Sequence, residues 1–61
     1  MTKIQNRDVQ QARQAIAMGM ADCAARIISA SIRCAMRASD RAALLAIARE
    51  LAIVNHPDFI I

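Results

Sequence analysis

The sequence predicts an all-α fold: a helical hairpin, one long helix and one shorter one, that pairs with a second copy of itself as a homodimeric four-helix bundle. Three observations predict it. Val9, Ala12, Ile16, Met20, Cys23, Ile27, Ala30 and Cys34 recur at gaps of three and four residues, which places them on one side of an α-helix. The composition is rich in Ala, Arg, Ile, Leu, Met and Gln, with one Gly, one Pro and one aromatic residue, so it holds helix formers and almost no strand or turn vocabulary. A helix as long as that stripe leaves room, in 61 residues, for only one more. A two-helix hairpin cannot enclose its own core, so the stripe must meet another chain.

The single domain, residues 1–61, divides as follows. Thr2 and Asn6 are both candidate N-caps, and Asp8 suits the positive end of a helix dipole. From there the stripe carries a helix over residues 6–37. Residues 38–40, Ala-Ser-Asp, form the turn, with Ser39 or Asp40 able to cap the next helix. Over residues 41–54, Leu44, Ile47, Ala48, Leu51 and Val54 line one side at helical spacing. Asn55 suits the C-terminal end and Pro57 disfavours a helical His56, leaving residues 55–61 as a tail ending Phe59-Ile60-Ile61. The alternative is a monomeric three-helix bundle in which Gly19 ends the first helix and Asp22 caps the next. Gly in a helix interior costs about 1 kcal/mol relative to Ala, which favours that break. The unbroken phase of the stripe, and the poor loop character of Met18, Met20 and Ala21, favour the continuous helix.

Hydrophobic residues make up 57% of the chain, yet fourteen of them are Ala, which bury little area each. The longest uncharged run, Gln14 to Ala21, is far short of the ~20 residues a membrane-crossing helix needs. With no secretory leader pattern at the start, the expected compartment is the cytoplasm. Cys23 and Cys34 lie about 16 Å apart on one helix, too far for a disulfide, and are expected to pack as small hydrophobes.

Candidate functional residues fall into three sets. Val9, Ile16, Met20, Cys23, Ile27 and Cys34 are the expected dimer seam. Ile28, Ile32 and Met36 follow one another at four-residue spacing on a second apolar face and, with Phe59, are candidates for binding a protein partner. Arg26, Arg33 and Arg37 align on the polar strip, in a stretch without an acid, and are candidates for contacting a nucleic-acid backbone.

A net charge of +3 is modest for a nucleic-acid binder, and seven Arg to one Lys also reflects Ala- and Arg-rich coding. The residues exposed on the second helix carry no Asn, Gln, Ser or Thr to read base edges, which disfavours a DNA-reading helix-turn-helix. One His and two Cys supply no metal cluster and no nucleophile–base pair, and one Gly supplies no phosphate-cradling loop. The expectation is therefore a non-enzymatic, cofactor-free interaction or regulatory protein that binds a protein partner through its apolar helical surface. Small chains of this kind are common among phage and bacterial accessory products. The alternative is a dimeric nucleic-acid-binding regulator that uses the Arg face.

Overall fold

Gly19 divides the long helix in two. The computed structural model describes residues 1–61 and contains three helices and no strand: α1 (Lys3–Ala17), α2 (Ala21–Cys34) and α3 (Ala38–Glu50). Gly19 sits in the left-handed region at φ +75, where glycine alone escapes the Cβ clash. Its N–H donates to the carbonyl of Ile16 at 3.0 Å, and that of Met20 to the carbonyl of Ala15 at 2.8 Å. This pair of bonds is a Schellman stop, which satisfies carbonyls that a helix end leaves free. The continuous helix expected over residues 6–37 is thereby corrected. Its stripe keeps phase across the break, but a helix-terminating glycine conformation costs nothing at Gly19 and allows α2 to turn back along α1.

The other boundaries follow local chemistry. Thr2 begins α1 with a capping box: its Oγ1 accepts from the Gln5 N–H at 3.1 Å, and Gln5 Oε1 accepts from the Thr2 N–H at 2.8 Å. Ala35 is extended and ends α2 (ψ 126), its carbonyl accepting from Arg41 Nη1 at 3.0 Å. Arg37 rather than Ser39 or Asp40 occupies the N-cap of α3, and the expected 38–40 turn is already helical, with Asp40 in the first turn near the positive end of the dipole. α3 stops at Glu50, four residues before the expected end, because Ala52 adopts φ +59 and closes a second Schellman stop.

The core is small and built largely from alanine: Ala12, Ala15, Ala24, Ala25, Ala35 and Ala48 surround Val9, Ile28, Ile32, Leu44 and Ile53. Ala permits close helix approach, while Ile28, Leu44 and Ile53, all fully buried, supply most of the transfer energy at about 1.5–3 kcal/mol each. After α3 the chain runs through tight turns (His56 N–H to Ile53 carbonyl 3.0 Å, Phe59 N–H to His56 carbonyl 2.9 Å) and folds back over α2. Arg33 Nη1 donates to the Ile60 carbonyl at 2.7 Å and Arg26 pairs with Asp58 at 3.8 Å, so two arginines of α2 hold the tail. No helix is long and apolar enough to cross a membrane.

Candidate functional site

A groove of about 560 Å³ opens at the end of the molecule where the start of α1, the end of α2 and the start of α3 meet. α1 and the residues before it contribute Met1, Thr2, Ile4, Gln5 and Asp8; α2 contributes Ala30, Ser31 and Cys34; the α2–α3 connection and α3 contribute Met36, Arg37 and Asp40. Local structure explains the apolar lip. The capping box fixes Gln5 inward, and Ile4, its neighbour on the helix surface, is left 73% exposed. On the opposite lip, burial of Ala35 in extended backbone throws the next side chain outward, and Met36 is 94% exposed.

The two buried serines of α2, of which only Ser31 lines the groove, differ in how they are satisfied. Ser29 of α2 donates its hydroxyl to the Arg26 carbonyl at 3.2 Å, a bond within its own helix. Ser31, 5% exposed, makes no such bond, and its Oγ is buried without a partner. An unpartnered buried hydroxyl costs about 1–3 kcal/mol, which makes Ser31 a strained point in the wall beneath the groove. Asp40 is paired with the amino group of Met1 at 3.6 Å. Asp8 and Arg37 belong to no ion pair in the chain.

The residues singled out by sequence are distributed unevenly about this site. Of the expected seam, Val9 is buried within the chain's own core, Ile16, Cys23 and Ile27 are half-buried against it, and only Met20 and Cys34 are exposed. The stripe is thus not a continuous open seam, because α1 and α2 turn much of it toward each other and the tail. Ile28 and Ile32 are corrected as surface candidates for a partner. The reversal at Gly19 points them into the intramolecular core, at 0% and 6% exposure. Phe59, within the tail itself, is half-buried and packed on the core. Met36 alone of that set is open, and it stands at the groove with Cys34.

Nor do Arg26, Arg33 and Arg37 form a free strip. Arg26 contacts Asp22 (3.3 Å) and Asp58 as well as Cys23 Sγ (3.4 Å), and these partners, Cys23 first, raise its pKa above its ordinary value. Arg33 holds the tail, and Arg37 lies beyond the end of α2 at the groove rim. No three His, Cys, Asp or Glu side chains converge on one point. Sequence reasoning missed Met1, Ile4, Asp8 and Ser31. The available signals were Ile4, an apolar residue off the main stripe, and two serines set among Ile27, Ile28 and Ile32. Comparison with protein-family models, curated proteins and solved structures finds no match to this chain.

Proposed function

We propose that this chain is a small non-enzymatic interaction protein that binds a protein partner through the groove between α1, α2 and the α2–α3 connection. The observation that carries the reading is the convergence of exposed apolar side chains on one concavity: Ile4 and Met36 form its lips and Met1 and Cys34 lie beside them. A cleft with apolar walls and a few polar groups suits an inserted side chain or helix face, and unbranched Met adapts its shape to what enters. The nucleic-acid reading draws no support from the arginines, two of which are committed to contacts within the chain.

A photo-crosslinking residue placed at Met36, and in a second variant at Ala46 on the exposed side of α3, tests the proposal in cells. Protein adducts are expected from position 36 and not from 46, and Ile4→Asp should abolish them. Equal labelling at both positions, or labelling indifferent to Ile4→Asp, overturns it.

A further inference from the structure

Resting on that reading of the groove, we propose that its occupant is a second copy of this chain. The two copies meet groove to groove about a two-fold axis, with Met36 of each seated in the groove of the other. Charge is the first argument. A two-fold interface is isologous: if residue i of one copy meets residue j of the other, j also meets i. With Asp40 paired to the Met1 amino group, the groove's remaining charges are one cation, Arg37, and one acid, Asp8, and neither is ion-paired within the chain. A surface bearing one open charge of each sign is complementary to itself, and pairing across the axis satisfies all four charges in two ion pairs. A partner of uniformly basic or acidic character would satisfy one and repel the other.

The core supplies the second argument. Six of its eleven residues are Ala, so a 61-residue chain buries few large side chains while leaving Ile4 and Met36 in water. Chains of this size with thin cores are ordinarily completed by disulfides, metals or oligomerisation. Both cysteines are free thiols, and the exposed apolar surface at the groove is placed for the third route.

A stable interface takes roughly 600–1,000 Å² from each partner, between about a seventh and a quarter of the 4070 Å² this chain exposes, so the contact must extend past the groove onto the surface beside Ile4 and Met36.

Sedimentation equilibrium tests the proposal, with interference optics because the chain has no Trp or Tyr. Raising the concentration from about 1 to 500 µM should move the mass from 6.7 kDa to twice that value, as mass action requires. Arg37→Asp and Asp8→Arg should each weaken association about tenfold or more, and the double variant should recover most of it. Met36→Asp should give a folded monomer by circular dichroism, since that side chain contributes nothing to the chain's own core. In a Cys23→Ser background, alkylation of Cys34 should slow as the dimer forms.

A wild-type monomer at 500 µM overturns the second copy as occupant. If Met36 then crosslinks to a different protein, the docking reading survives without it. A dimer indifferent to Met36→Asp and to both charge reversals, with Cys34 equally reactive throughout, overturns the groove as its interface. The same result, without crosslinks from position 36, removes the docking reading as well.

Discussion

The chain stops a helix twice by the same hydrogen-bond device, once with Gly19 and once with Ala52, and the two stops are held by different forces. At the first, Gly19 and Met20 donate to Ile16 and Ala15; at the second, Ala52 and Ile53 donate to Arg49 and Ala48, each at 3.1 Å. Gly19 takes its positive φ freely. Ala52 takes its own at about 1–2 kcal/mol, the cost of a Cβ in the left-handed region. The residues that follow reverse this order. Met20 is 41% exposed, whereas Ile53 is 1% exposed and among the largest fully buried side chains. The first stop is therefore local, written in backbone preference. The second is tertiary: burial of Ile53 overrides a backbone penalty. A helix boundary of the first kind can be read from one residue; one of the second kind depends on the whole fold.

The largest test of that contrast is Ile53→Ala. Removing a buried Ile side chain costs about 2–4 kcal/mol, against a total stability of about 3–9 kcal/mol expected for 61 residues. Urea titration should show a large fall in midpoint, and amide exchange should show the turn after α3 and the tail opening first. Met20→Ala, at the equivalent position of the first stop, should change stability by less than about 0.5 kcal/mol. Equal effects at the two positions would erase the distinction.

Gly19→Ala comes next. An added Cβ meets no atom within 4 Å, so its cost is conformational alone, about 1 kcal/mol after the gain from a stiffer unfolded chain. A lower melting temperature with unchanged helicity is expected. Raised helicity, with a doubled mass already at concentrations where the wild type is a monomer, would instead mean that the chain had straightened into the continuous 6–37 helix its stripe encodes, exchanging α1 between copies. Ala52→Gly is the mirror experiment. Relief of the left-handed strain should add about 0.5–1 kcal/mol, a rise of roughly 4 °C in melting temperature for a chain this small. No gain there would mean that the strain at Ala52 is already absorbed elsewhere.

These two turns also show how far the sequence could be read. Helix class and the Leu44–Ala48 face of α3 were legible because each depends on residues within a turn or two; Thr2 and Asn6 competed as caps, and the expected start at residue 6 fell three residues late because the Thr2–Gln5 capping box begins α1 at Lys3. Gly19 was visible too, but its signal competed with a stripe that stays in phase by arithmetic. Ile16, Met20 and Cys23 keep helical spacing whether or not the backbone between them is helical. Once the chain reverses, the face of α2 that points inward is the one carrying Ile28 and Ile32, not the one continuing the stripe. The stop at Ala52 was not legible, since alanine favours helix and only burial of Ile53 forces the turn. The groove was invisible for a related reason. It joins residues 1–8, 30–34 and 36–40, which no single periodicity connects, and the orphaned state of Ser31 arises only after α2 has been oriented.

The smallest expected effect lies beside the second stop. Glu50, the last residue of α3, accepts from Arg13 of α1 in a forked pair, Nη1 to Oε1 and Nη2 to Oε2, both at 3.3 Å. The pair joins the end of α3 to α1, so it could be thought to share in holding the turn at Ala52. Both side chains are largely exposed, at 46% and 61%, and water screens such pairs to about 0–0.5 kcal/mol. Glu50→Gln removes the charge and keeps helix propensity, so a shift of at most a few tenths of a kcal/mol is expected, and it should vanish at high salt as the remaining attraction is screened. Measured in the Ala52→Gly background, the same substitution should cost no less than in the wild type, because burial of Ile53 and not the ion pair opposes the backbone strain. A loss well above 1 kcal/mol that disappears once Ala52 is Gly would show that the ion pair, and not the core, holds the second stop in place.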